Sequence, residues 1–262
     1  DASPVLAQLQ ATRNTDPAPS PQALSLAPEP SSFANFSRWA EQFLAGDASA
    51  SIAEGQAAAW KRREAMLELI QTDPQKALAL TVPFVWRSAL PPSVTRFFEQ
   101  QVDGRGALDV AIAEDFKPGN ERMIRDVRIN GQQYEAFVYG RRLRQGCQPQ
   151  IPLHGIVLDG KMAVLAEPIR RLGADEAEAL AKARGQTLGQ VCGVCGAAAN
   201  LGQQGLAADI GGELACFCGP AHARLVTRYW VMAEGGDGGG AGPLAATAQS
   251  AGNDRWTHGE KT

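Results

Sequence analysis

Between residues 104 and 172 apolar and polar residues alternate, and the alternation is cut at two-residue turns. The segments 107–114 (ALDVAIAE), 122–129 (RMIRDVRI), 132–141 (QQYEAFVYGR), 151–160 (IPLHGIVLDG) and 161–167 (KMAVLAE) read as strands. Asn130-Gly131 and Asp159-Gly160 fall between consecutive segments. Both dipeptides accept the positive φ angles of tight hairpin turns at little cost. Several short strands joined this way bury a common face by closing into a small barrel or stacking as a sandwich. A central antiparallel β-barrel or sandwich is therefore expected.

Upstream the period is helical. Phe33, Phe36, Trp39, Ala40 and Phe43 share one helix face. A second helix is expected over 51–73, with Trp60, Met66, Leu67 and Ile70 as its buried stripe. Asp73-Pro74 has the cap and first-position chemistry that opens a third. The stretch 92–102 (PSVTRFFEQQV) predicts one more short helix, ended by DGRG. Beyond the strands, 173–185 reads as a charged connector helix. Gly211-Gly212 reads as a hairpin turn, and Pro220 as the first residue of a last helix. The two ends lack an apolar period that could offset their ordering entropy. The expected organisation is a disordered linker (1–32), a helical segment (33–103), an antiparallel β domain (104–172), a cysteine lobe with its connector helix (173–233), and a Gly-rich linker and tail (234–262). The class is α+β: an N-terminal helical segment, a central small barrel or sandwich, and a C-terminal cysteine-containing β-hairpin/helix lobe.

The net charge of −3 gives no global basic field to draw nucleic acid. Arg141, Arg142 and Arg144 form a local basic run, expected to be a solvated strand end. No apolar stretch approaches the ~18 residues of a membrane span. The sequence holds no HExxH pair, Walker loop, GxSxG elbow or GxGxxG after a strand, so no enzyme is expected. His154, inside a strand, is expected to be a satisfied structural residue. Asp109, Glu114, Asp115 and Glu121 are expected at the surface.

Chemistry concentrates in residues 191–222, which hold four of the five cysteines and one of the three histidines. Cys192-Gly-Val-Cys195-Gly has the form of a zinc knuckle, in which glycine lets the backbone fold back with its amides aimed at sulfur. Cys216-Phe-Cys218 is a candidate second pair, and His222 lies four residues beyond Cys218, one helical turn away. The candidate ligands are thus Cys192, Cys195, Cys216, Cys218 and His222, with zinc as the metal. A disulfide-stapled lobe remains open as an alternative, with Cys192 or Cys195 bridged to Cys216 or Cys218. A thioredoxin-type redox pair needs a helix after its first cysteine, and GAAANLGQQG is too glycine-broken to supply one.

The phrases RREAMLELIQTDPQKALALTVPFVWRSALPPSV, YEAFVYGRRLRQ, IPLHGIVLDGKMAVLAEPIRRL and DRWTHGEKT add a resemblance. Together they resemble the N-terminal, prodomain-like regions of large secreted bacterial proteins that carry a gametolysin-type zinc-metallopeptidase-like domain. The resemblance spans about residues 33–262. It implies a non-catalytic accessory or propeptide-like domain, secreted or periplasmic, with a role in folding, inhibition or binding. Its partner would be the metallopeptidase-like domain of the same precursor. Cys147, in RQGCQPQ, would be the candidate for a thiol that reaches the catalytic zinc. The family's cysteine lobe pairs a Cys-Pro-Val-Ser-Gly form with a Cys-Gly-Gly-His segment. Cys192, Cys218 and His222 match that pattern, whereas Cys195 and Cys216 depart from it. The resemblance therefore implies either a Cys192–Cys218 disulfide or a metal site on Cys192, Cys218 and His222.

Overall fold

The computed structural model describes residues 31–113 and 122–234. Glu114, Asp115 and Glu121, residues 1–30 of the expected 1–32 linker and residues 235–262 of the expected tail lie outside the described residues, and Ser31 and Ser32 already belong to the first helix. The helical segment comprises α1 (Ser31–Leu44), α2 (Ile52–Thr72), α3 (Pro74–Ala79), α4 (Phe84–Ala89) and α5 (Pro92–Thr95). Ser51 and Glu54 form a reciprocal capping box at the start of α2, and Asp73 accepts from the Lys76 amide to open α3. Phe36, Trp39, Ala59, Val94 and Phe98 form the core of this segment. Trp39 donates Nε1–H to Ser51 O and lies against Gly55, where no side chain fits.

Two expectations fail here for one reason. Trp60 is 48% exposed, and the buried stripe of α2 runs through Gly55, Ala59, Arg62, Met66 and Ile70. Arg62 occupies a core position because its guanidinium pairs with buried Glu99. The helix expected over 92–102 stops at Thr95, and Gln100 already begins a strand. Residues 100–106 pair with residues 151–157, and that long-range ladder overrides local helix propensity.

The barrel contains β1 (Gln100–Ala113), β2 (Arg122–Ile129), β3 (Gln132–Phe137), β4 (Gln148–Leu158) and β5 (Lys161–Val164), in closed order β1-β2-β3-β5-β4. Asn130 and Gly131, like Asp159 and Gly160, have the positive φ of the expected turns. The expected purely antiparallel arrangement is corrected at one pair, because β3 and β5 are parallel. A closed ring with an odd number of strands cannot alternate direction at every step, so one pair must run parallel. This order is that of OB-type Greek-key barrels, a fold shared by many functions that carries no functional argument by itself.

Strand β4 is buried on both faces. Ile151, Leu153 and Val157 fill the barrel, while Ile156 and Leu158 pack under Met66 and Ile70 of α2 and Ala77 of α3. A Cβ on Gly155 would lie 2.2 Å from Ala163 O and 2.8 Å from the Met162 methyl. Gly155→Ala should therefore destabilise the chain by about 1–3 kcal/mol or more through backbone displacement. Thermal denaturation checks this, and an unchanged midpoint would contradict it. Arg142, expected in solvent with its neighbours, is fully buried. It donates to Leu165 O and Pro152 O and latches the 3-10 turn Gly140–Arg144 onto the barrel.

The C-terminal lobe holds β6 (Arg170–Leu172), α6 (Ala174–Arg184), β7 (Leu206–Ile210), β8 (Glu213–Phe217) and α7 (Pro220–Glu234), with sheet order β6-β7-β8. Gly211 and Gly212 turn β7 into β8 with positive φ, as expected. One face of the sheet packs Ala207 and Cys216 against Ala177 of α6. The other packs Ala208 and Phe217 against Ala223 and Val226 of α7.

Candidate metal centre

The candidate site is assembled from three short pieces of the C-terminal lobe. The first is the knuckle around Cys192 and Cys195, closed by Cys192 N–H to Ala197 O at 2.7 Å and Gly196 N–H to Cys192 O at 2.9 Å. Gly196 has φ 72°, which glycine adopts without strain. The second is Cys218, just past the end of β8. The third is His222, in the first turn of α7, which Pro220 opens. A further bond, Gly193 N–H to Cys216 O at 2.9 Å, ties the knuckle to β8.

These pieces bring Cys192, Cys195, Cys218 and His222 together, with one donor atom from each within 4.8 Å of all the others. His222 Nδ1 stands 3.3 Å from Cys192 Sγ and 3.2 Å from Cys218 Sγ, and Cys195 Sγ stands 3.8 Å from Cys218 Sγ. Cys192 is buried, Cys195 is exposed, and Cys218 and His222 are intermediate. The fifth predicted ligand, Cys216, is not brought into the group. Alternation along β8 turns it to the α6 face, among Leu172, Ala177 and Ala207, while its neighbours Ala215 and Phe217 face α7. All five cysteines are free, and no pair is at bonding distance.

Within the cluster the Cys192 and Cys218 thiols are shifted in opposite directions. Burial works to raise the Cys192 thiol. The backbone amides of Cys218, Cys195 and Val194, with His222, outweigh it and bring the pKa down to about 6. Cys218 is pushed up to about 11 by loss of solvent, by its thiol contacts with Cys195 and Cys192, and by the negative charge of those neighbours. One thiolate is thus favoured and a second beside it is opposed. A divalent cation removes that conflict, because it attracts every sulfur at once. The four side chains could hold a metal ion.

A second charged cluster, which sequence spacing did not reveal, lies between the barrel and the lobe. His154 is fully buried, as a satisfied structural histidine would be. Its Nδ1 is 2.9 Å from Asp103 Oδ1 and its Nε2 is 3.1 Å from Pro168 O. The Gly211 amide also approaches Nε2, at 3.5 Å, so both ring nitrogens have partners. Asp103 also accepts from Arg170 Nε and Nη2 at 2.8 Å each. Asp209 accepts from Arg184 Nη1 at 2.6 Å and stands 3.9 Å from His154 Nδ1. Asp103, His154 and Asp209 are close enough to hold an ion, but guanidinium groups already occupy both carboxylates. This is an internal ion-pair network. Burial works to raise the Asp103 pKa, yet His154 and Arg170 hold it below the usual carboxylate range. Its members come from β1, β4, β6, α6 and β7, so no local motif announces it. Asp109, expected at the surface, pairs there with Arg128. Cys147 is exposed, and its sulfur accepts from Val110 N–H at 3.3 Å.

No helix among the described residues is long and apolar enough to cross a membrane. Comparison of the chain with family models, with curated proteins and with solved structures finds no match in any of the three, so the functional argument rests on the site itself.

Proposed function

We propose that the chain is a non-catalytic accessory module whose C-terminal lobe is folded around a zinc ion held by Cys192, Cys195, Cys218 and His222. The observation that carries this is the convergence of three sulfurs and one imidazole nitrogen from three chain pieces. Such a donor set suits zinc. With Zn–S of about 2.3 Å and Zn–N of about 2.0–2.1 Å, a tetrahedron has S···S edges near ~3.8 Å and S···N edges near ~3.6 Å. The separations of 3.8, 3.3 and 3.2 Å are close to those edges. Four protein ligands fill a tetrahedral shell and leave no open position for water or substrate, which is the pattern of structural rather than catalytic zinc.

The lobe also has a physical need for such a staple. Residues 186–205 carry no helix or strand beyond isolated bridges at Val191–Ala198 and Leu201–Gly205. A long irregular segment inside a small lobe is entropically costly, and a metal tying it to β8 and α7 offsets that cost. The accessory role extends the resemblance to peptidase-associated regions, in which this module would serve a neighbouring catalytic domain.

Elemental analysis of chain purified without chelator tests the proposal. About one zinc per chain is expected, released as the pH is lowered because protons compete for the thiolates and the imidazole. Metal-free chain that stays folded and fails to take up added zinc would sink it.

A further inference from the structure

We infer that the cleft where the helical segment, the barrel and the C-terminal lobe meet binds a small organic carboxylate, an oxyanion head on an apolar body. The cleft has a volume of about 690 Å³, within the range of small-molecule sites. Its charged lining comprises Arg87, Arg170, Arg171 and Arg184 against Asp103 and Glu176. Arg87 is paired with Glu99 and Arg184 with Asp209 behind the lining, so the cation left without a carboxylate of its own is Arg171.

The two carboxylates are committed. Asp103 accepts from Arg170 and His154 and has a side chain only 4% exposed, and Glu176 accepts from Arg170 Nη1 at 2.8 Å. The arginines are not all committed. Arg171 is exposed and has no hydrogen bond or ion pair among the described residues. Arg184 uses Nη1 on Asp209 and Gly212 O, and its Nη2 lies 4.0 Å from Asp103, which leaves Nε without a partner among the described residues.

The buried network beneath gives these cations a fixed base. Asp103, itself bonded to fully buried His154, anchors Arg170, and fully buried Asp209 anchors Arg184. Donors held in place before a ligand arrives lose little freedom on binding, which favours recognition of a planar oxyanion. Phe84 of α4 and Leu180 of α6 supply apolar wall. A bare inorganic anion would leave that wall unused. The inference is independent of zinc, and its test uses the chain in its metal-loaded form.

The probes are N-acetyl-phenylalanine, its C-terminal amide and inorganic phosphate, each titrated into the full chain and followed by amide chemical shifts. The acid should bind saturably, with Kd of roughly 0.1–1 mM for a ligand of this size, and should shift resonances of α4, β6 and α6. The amide should bind about tenfold more weakly, the worth of one charge-assisted contact. Phosphate should also bind more weakly than the acid. Arg171→Gln touches no partner, keeps the fold, and should weaken the acid by about the same factor. Loss of saturation, an amide or phosphate as tight as the acid, or unchanged affinity in Arg171→Gln would each overturn the inference.

Discussion

Cys192→Ser should yield a chain that carries no stoichiometric zinc and whose C-terminal lobe has lost its cooperative structure, while the barrel remains folded. Cys192 is the most buried of the four ligands and the focus of the knuckle's hydrogen bonds. Serine keeps the shape but cannot serve as a soft anionic donor. Zinc supplies ~10–16 kcal/mol of apparent folding free energy to small zinc-dependent peptides at neutral pH. This lobe has a three-stranded sheet of its own, so we expect a loss of about 3–5 kcal/mol, a part of that total. Hydrogen exchange should show residues 186–226 losing protection while 100–113 and 148–164 keep theirs. Cys216→Ser is the informative control. It should retain zinc and cost about 1–3 kcal/mol for a hydroxyl buried without designed partners. Cys147→Ser should change neither property. Equal zinc loss in Cys216→Ser and Cys192→Ser would contradict the assignment of ligands.

Glu99→Gln should have the largest effect in the helical segment. Glu99 is 1% exposed and joins two arginines, with Arg62 Nη1 at 2.7 Å, Arg87 Nη2 on the other oxygen, and the Val82 amide at 2.9 Å. Removing its charge leaves two cations in a nearly dry core beside Phe33, Phe36 and Phe98. Breaking a buried pair in this way costs about 3–5 kcal/mol, or roughly 6–20 °C in melting temperature at this chain length. Burial works to raise the Glu99 pKa, but Arg62, Arg87 and the Val82 amide together hold it below 4.5. A depressed carboxylate contributes stability that is present above its unfolded pKa and lost as pH falls through the folded one. Stability of the native chain should therefore drop on acidification below about pH 4.5, and Glu99→Gln should flatten that limb. Wild-type stability in Glu99→Gln, with an unchanged acid limb, would contradict the account. Pairing it with Arg62→Met should recover part of the loss, because an unpaired cation is removed.

Elements marked by local chemistry were legible in the sequence. Asn130-Gly131, Asp159-Gly160 and Gly211-Gly212 set their turns through φ preferences that neighbours scarcely alter. Asp73 and Pro220 mark helix starts because a cap or a missing amide acts within one turn. Cys192, Cys195, Cys218 and His222 were legible as donors, but spacing could not show that β8 turns Cys216 to its opposite face. What escaped was set by distant partners. Arg62 and Arg142 look like surface cations until Glu99 and the carbonyls of Leu165 and Pro152 are brought to them. Residues 100–102 look helical until β4 pairs with them. The network of Asp103, His154, Arg170, Arg184 and Asp209 draws on five elements, and no short motif encodes it.

X-ray absorption at the zinc edge on the purified full chain tests the central claim most directly. The proposed centre predicts three sulfurs at about 2.3 Å and one nitrogen at about 2.0–2.1 Å. A shell of four sulfurs, which would bring in Cys216, or a shell dominated by nitrogen and oxygen would contradict it.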